Sequence, residues 1–182
     1  MVDLITYDDS GRPRLSVVIE NLTPTLAVFV AGNATFPSSD YATRDMRNFY
    51  SVLDFDDSTN ESISFVGLMP QQYAGNGIEL RLFFTMETAT SGDVDWSVKF
   101  EKLTSFDQDI DSVSYSNATS VIDTAVPSTS GEIAITSISV TDGANMDNIT
   151  KGDMFVMNIT RSATTDTASG DAELLGVEMR GL

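Results

Sequence analysis

Apolar and polar side chains alternate along most of the chain after residue 47, and this period of two predicts β-strands. In the clearest stretch, 78–87, apolar side chains occupy every second position: Ile78, Leu80, Leu82, Phe84 and Met86. A second alternating stretch, 94–101, follows the turn-forming residues 90–93. The two stretches are therefore predicted to form a β-hairpin with Trp96 on its inward face.

The same alternation predicts further strands at 47–55, 62–68, 119–126, 132–141, 155–160 and 175–179. In the first of these, Phe49, Leu53 and Phe55 are expected on one face. In 132–141 the alternation changes phase after Ile135, which predicts a β-bulge near Thr136. Together these stretches give about eight strands. They predict an all-β fold, an antiparallel two-sheet sandwich of the jelly-roll type, over residues 47–182.

Residues 1–46 have a different pattern, in which two apolar runs, 15–19 and 26–31, are separated by Thr23 and Pro24. We interpret this segment as an N-terminal arm or hairpin that attaches the chain to a neighbour, and membership of the main core is an almost equal alternative. The candidate interface residues in it are Leu15, Val17, Ile19, Leu26 and Val28.

The loop that follows residue 68 offers a second interface candidate through Met69, Pro70 and Tyr73. Such side chains can form an apolar contact patch between β-subunits. The alternative is a loop that folds over one end of its own sandwich.

The charge of the chain is strongly negative, with 27 acidic and 10 basic residues and a formal net charge of −17. Such a field repels phosphates and anionic bilayers, so neither nucleic acid nor a membrane is an expected partner. The sequence contains no histidine and no cysteine. Imidazole and thiolate chemistry are therefore absent, and we expect no cofactor and no enzymatic activity.

Alternating carboxylates at Asp107, Asp109 and Asp111 have the spacing of a calcium loop. An EF-hand would need glycine and a bidentate acid where this chain has Ser112 and Ala118. A solvated acidic loop is the better interpretation, and a calcium site of another kind is a weak candidate. A second acidic stretch raises the same question: Asp54, Asp56, Asp57 and Glu61.

Three segments resemble structural proteins of tailed bacteriophage virions: 65–73, 77–103 with its turn at 92–96, and 152–161 continuing through 170–178. The resemblance is to jelly-roll modules of capsid decoration (cement) proteins and of head or tail fibres, and it covers 47–182. It implies a non-enzymatic virion component, commonly a homotrimer, with residues 1–46 as its attachment arm.

Two functions follow from this resemblance. The first is a decoration protein, made in the host cytoplasm and located on the outer capsid surface, that binds the major capsid protein or other virion proteins and stabilises the shell. The alternative is a receptor- or glycan-binding fibre module, which predicts exposed aromatic side chains at one end of the sandwich.

Overall fold

A computed structural model describes residues 3–7, 13–17, 24–104, 109–112, 114–116 and 119–182. In these residues the chain forms antiparallel β-strands joined by loops and two 3-10 helical turns, Ala31–Asn33 and Ala144–Met146. No helix in this part of the chain is long and apolar enough to cross a membrane. The strands are β1 Asp3–Tyr7, β2 Pro13–Val17, β3 Thr25–Val30, β4 Thr43–Arg47, β5 Tyr50–Phe55, β6 Glu61–Leu68, β7 Ile78–Met86, β8 Asp93–Leu103, β9 Thr119–Ala125, β10 Ala134–Val140, β11 Met154–Arg161 and β12 Ala172–Gly181.

Two sheets form the sandwich. The large sheet has the order β10-β7-β12-β5-β4, with β3 also paired to β12, and the small sheet has the order β6-β11-β8-β9. Successive strands from β5 onward are divided between the sheets in the order of a jelly roll. The predicted all-β, antiparallel two-sheet fold of jelly-roll type is therefore confirmed.

The core lies between the two sheets and is rich in aromatic side chains. Trp96 is fully buried, as predicted, and its ring centroid lies 5.1 Å from that of Phe55 and 5.5 Å from that of Phe84. Elsewhere in the core, the ring centroids of Phe100 and Phe155 lie 5.9 Å apart. Offset and edge-to-face arrangements of this kind stabilise a packed interior beyond the burial of area.

The predicted hairpin over 78–101 is wrong, because β7 and β8 belong to different sheets. The chain crosses from the large sheet to the small one between Met86 and Asp93. Both strands bury their apolar faces in the same core, so the alternation identified the faces correctly. It could not identify the partners, which are β10 and β12 for β7 and β9 and β11 for β8.

The predicted strand at 47–55 is divided by a tight turn between β4 and β5. Asn48 occupies the left-handed region with φ of 55°, a conformation that asparagine tolerates better than most residues. Leu53 and Phe55 face the core as expected, but Phe49 lies at the tip of the turn and is 94% exposed.

The predicted bulge in β10 is also wrong. The pairing of β10 with β7 is continuous from Ala134 to Val140, and Ile135 faces solvent. An irregularity occurs instead in β12, where the pairing with β7 shifts between Leu174 and Gly176. This shift turns Leu175 to the outer face of the large sheet.

Residues 24–46 belong to the sandwich. β3 pairs with β12, and Leu26 contributes to the core while Val28 is 64% exposed. The predicted arm therefore reduces to the segment before Pro24, where β1 pairs with β2 in a separate two-stranded sheet. Leu15 and Val17 lie on β2, and Ile19 lies outside the described residues. The attachment role of this segment remains a prediction.

The 69–73 loop folds over one end of its own sandwich, which corrects the expectation of an exposed contact patch. Met69 is fully buried, Pro70 is half-buried and Tyr73 is 6% exposed. The Tyr73 hydroxyl donates a hydrogen bond to the Asp142 carboxylate at 2.6 Å. Burial and this acceptor raise the pKa of Tyr73 to about 12, so the loop is held by a neutral phenol.

Candidate ligand-binding grooves

The acidic stretch 54–61 uses its carboxylates to hold turns. Asp56 accepts from the backbone N–H of Thr59 at 2.9 Å, and Glu61 accepts from the N–H of Asp56 at 2.8 Å. Asp57 accepts from the N–H of Gly170 at 2.7 Å and so ties this turn to the 162–171 loop. No group of three or more acidic side chains placed to hold a metal ion is found in the described ranges.

Asp54 is an exception in this stretch because its Oδ1 is buried without a hydrogen-bond partner. Burial, together with the nearby Asp171 and Glu173 carboxylates, raises its pKa to about 7. As the pH rises from about 3.8 to 7, the unfolded chain releases this proton while the folded chain keeps it. The stability of the fold therefore falls through that window and stays lower above it, and below about pH 7 the protonated Asp54 is a poor cation ligand.

The other weak calcium candidates do not converge either. Asp109 and Asp111 are exposed, and Asp109 accepts from the N–H of Asp111 at 3.0 Å, as in a local turn. Asp107 lies outside the described residues.

A groove of about 480 Å³ crosses the outer face of the small sheet. We call it the polar groove. Its floor is made by the outward side chains of β6, β11 and β8, whose alternate residues are buried in the core. Strand register aligns Ser64, Asn158 and Lys99 in one row across the sheet. Ser62 and Thr160 form part of the next row.

Asn158 is the fixed centre of this floor. It is 6% exposed, and its Nδ2 donates to the carbonyl of Ile63 at 3.2 Å and to the hydroxyl of Ser64 at 3.1 Å. Its amide oxygen accepts from the Thr160 hydroxyl at 3.3 Å. The amide orientation is therefore set before any ligand arrives, and the hydroxyls of Ser64 and Thr160 are held beside it.

The 35–38 segment forms one wall of the polar groove. Thr35 anchors it to β6 through two backbone hydrogen bonds with Ser64, of 2.7 and 2.9 Å. Phe36 is 40% exposed, and its ring packs edge-on against Tyr41 at 5.9 Å and lies 5.6 Å from the guanidinium of Arg44. These contacts hold an aromatic ring at the rim of the groove.

Tyr115 also lines the polar groove, and its hydroxyl lies 3.4 Å from that of Ser64. Among the described residues, no aspartate or glutamate lines the polar groove, and Lys99 is the one charged side chain that does. In a chain with 27 acidic residues, this groove is a local exception to the overall negative charge.

A second groove, of about 600 Å³, lies on the outer face of the large sheet. We call it the apolar groove. Tyr50, Val52, Ile133 and Leu175 line it, and Tyr50 and Ile133 are largely exposed. The hydroxyl of Thr85, a residue only 4% exposed, is buried in its lining without a hydrogen-bond partner.

Of the interface and metal candidates whose side chains the structure describes, none lines the polar or the apolar groove. The usable signal was in the outward positions of the predicted strands. Ser62, Ser64, Asn158 and Thr160 are small hydroxyl or amide residues where an exposed strand face often carries longer charged side chains. Which of them share a surface depends on strand register.

Comparison with known proteins finds no matching family model and no matching curated protein. Solved structures with a similar course of the chain include three carbohydrate-binding domains. One is the CBM36-1 domain of a multidomain xylanase from the hindgut metagenome of Trinervitermes trinervoides, with 11% identity, a TM-score of 0.46 and coverage of 86% of this chain and 97% of that one.

The second is a family 35 carbohydrate binding module from Clostridium thermocellum, with 9% identity, a TM-score of 0.46 and coverage of 87% and 100%. The third is the CBM22-1 xylan-binding domain from Paenibacillus barcinonensis, with 10% identity, a TM-score of 0.47 and coverage of 87% and 94%. Likenesses this weak carry no functional information, so the function has to be inferred from the grooves themselves. The resemblance to virion proteins remains a prediction.

Proposed function

We propose that the chain is a non-catalytic glycan-binding module and that the polar groove holds the sugar. The observation that carries this proposal is the combination of an aromatic ring, Phe36, with a prearranged amide, Asn158, on one concave surface. Binding sites of this kind are concave and carry few but well-placed polar groups.

The chemistry of the floor matches that of a sugar. A pyranose has one face of C–H groups and a rim of hydroxyls that both donate and accept hydrogen bonds. The Phe36 ring offers an apolar surface for the first, and the side chains of Ser62, Asn158 and Thr160 offer donors and acceptors for the second. Because this floor lies on strands, its geometry is more rigid than that of a loop site.

The composition of the polar groove favours binding without turnover. Glycoside hydrolysis generally needs two carboxyl groups on either side of the scissile bond. The described residues of the groove provide hydroxyls, an amide and one amine, but no carboxyl group. A sugar held there would meet no general acid and base of that type.

We expect Phe36→Ala to lower glycan affinity by roughly 5- to 150-fold, because the ring supplies the stacking surface, and the loss of an aromatic ring on which a nucleobase stacks costs about 1–3 kcal/mol. The measurement is titration calorimetry with the best ligand from a broad glycan panel. Phe49→Ala is the matched control, since it removes the same side chain from a 94% exposed position outside the groove.

Both variants should keep the unfolding midpoint of the parent chain within a few degrees, so that a loss of affinity reports the groove alone. Equal affinities for the two variants would contradict the assignment of the groove. A parent chain that binds no glycan at millimolar concentration would contradict the function itself.

A second candidate function is attachment to a protein assembly, such as a capsid shell, through the apolar groove. The exposed apolar side chains of Tyr50 and Ile133 on this concave surface are a feature that a protein partner covers. In this proposal the chain decorates an outer surface, and its fold serves as a rigid, non-enzymatic platform.

This candidate predicts that Ile133→Arg abolishes decoration of the native particle in electron micrographs, because a charge would be buried at the contact. Ile110→Arg is the control, since Ile110 is exposed and lies outside the apolar groove. If the Ile133→Arg variant decorates the particle at the same full occupancy as the Ile110→Arg control, attachment through this face is ruled out.

A further inference from the structure

We infer that the glycan held by the polar groove carries a carboxylate, as uronic acids do, and that Lys99 binds this group. The inference rests on the proposed function and specifies its ligand class. It depends on the position of the Lys99 ammonium group and on the lack of carboxylates among the described lining residues of the groove.

Lys99 lies in the floor row beside Asn158, on the central part of β8. It is half-buried, and within the described part of the chain it forms no ion pair. The contrast is Lys102 on the same strand, whose ammonium lies 2.7 Å from the Asp153 carboxylate. An ammonium group that lines the groove without a protein counter-ion is available to pair with a ligand carboxylate.

The surroundings of Lys99 leave the ligand as the natural source of that counter-ion. The next outward residue on β8 is Glu101, which is 4% exposed and accepts a hydrogen bond from the N–H of Ser114 at 2.8 Å. Glu101 is thus buried against the segment that contains Ser114, and it does not line the groove. An anionic sugar in the groove would meet one cation and no repelling carboxylate among the described lining residues.

The net charge of −17 opposes this selectivity at long range. It slows the approach of any polyanion, whereas the contact with Lys99 acts only once the sugar is seated. At physiological ionic strength fields are screened beyond about 8 Å, and a half-buried contact is screened much less. Short ligands and salt near 0.15 M therefore separate the two effects.

The test compares oligogalacturonide trimers with the same trimers fully methyl-esterified, in which each carboxylate becomes a neutral ester. We expect the free acid to bind the parent chain at least 10-fold more tightly than the ester. Lys99→Gln should lower the affinity for the free acid by at least 10-fold and so remove this difference. Lys151→Gln is the control for net charge, since Lys151 is exposed and lies outside the groove.

Two results would overturn the inference, and they can be told apart. If acid and ester bind equally and Lys99→Gln changes neither, the groove binds sugars without reading charge, and the proposed function stands. If neither these trimers nor neutral xylo- and cello-oligosaccharides bind, the proposed function fails and takes the inference with it. Equal loss of acid binding in the Lys99 and Lys151 variants would assign the effect to net charge and reject Lys99 as the contact.

Discussion

Replacing Arg161 with methionine is expected to lower the free energy of unfolding by about 3–5 kcal/mol, because it leaves a buried carboxylate without its ion-pair partner and several carbonyls without donors. Arg161 is fully buried at the end of β11, and its Nε lies 2.7 Å from the Asp166 carboxylate. Its remaining nitrogens donate to the carbonyls of Phe55, Ala168 and Gly170 at 2.9 to 3.1 Å.

The geometry explains why so much depends on one side chain. The 162–171 loop joins β11 to β12, and the Arg161 guanidinium fills the space beneath it with donors aimed at the loop carbonyls. Asp166 is itself costly to bury, and burial raises its pKa despite the opposing effect of Arg161. Methionine fills similar volume but provides no donor, so carboxylate and carbonyls would lose their partner together.

Urea denaturation measures this loss, and the melting temperature should fall by roughly 8–15 °C. The double variant Arg161→Met with Asp166→Asn should recover on the order of 1–2 kcal/mol, since it removes the stranded charge. Arg180→Met is the comparison at a partly exposed ion pair with Glu178, where a loss of about 1 kcal/mol is expected. An Arg161 variant as stable as the Arg180 variant would show that the buried network does not hold the loop.

Arg161 also shows what alternation alone could have revealed. It follows Met157 and Ile159 at every second position, so a strand prediction over 155–160 places the next inward side chain at an arginine. An arginine on a buried face needs a partner, and Asp166 is five residues away. The pattern therefore predicted most inward faces and could have predicted this ion pair.

The sheet partners could not be predicted in the same way. Alternation reports which side of a strand is buried, and it gives the same signal whether the neighbouring strand belongs to the same sheet or to the opposite one. This is why β7 and β8 looked like a hairpin although β7 pairs with β10 and β12, and β8 pairs with β9 and β11. Phase changes are ambiguous for the same reason: the exposed Ile135 resembled a bulge, and the real irregularity at Leu175 passed as regular alternation.

The polar groove was even harder to predict from the sequence than the sheet partners. Its floor depends on the register that aligns Ser64, Asn158 and Lys99 across three strands, and Phe36 and Tyr115 also line it. These residues are separated by tens of positions, and each alone is an ordinary polar or aromatic residue of a strand or loop. Only the antiparallel pairing of β6, β11 and β8 makes them one surface.

Replacing Gly92 with alanine is expected to cost about 2–4 kcal/mol of stability, from a disfavoured backbone conformation and a direct clash. Gly92 has φ of 95°, and an added Cβ would lie 2.7 Å from the carbonyl oxygen of Thr167 and 2.9 Å from the Cα of Ala168. Both obstacles are backbone atoms. The clash therefore cannot be relieved by rotating a side chain. The loop backbone is also held in place, because the N–H groups of Thr167 and Ala168 donate to the backbone carbonyl of Asp93, each at 3.0 Å.

Gly75→Ala separates the two costs. Gly75 has φ of 80° but no atom within 4 Å of the added Cβ, so its replacement should cost about 1 kcal/mol through backbone conformation alone. Urea denaturation of both variants gives the difference, and equal losses would show that the loop moves aside freely. Arg161 also donates a hydrogen bond to the carbonyl of Ala168, in the same loop. We therefore expect the double variant at Gly92 and Arg161 to lose less stability than the sum of the two single variants, because each substitution already weakens the packing of this loop.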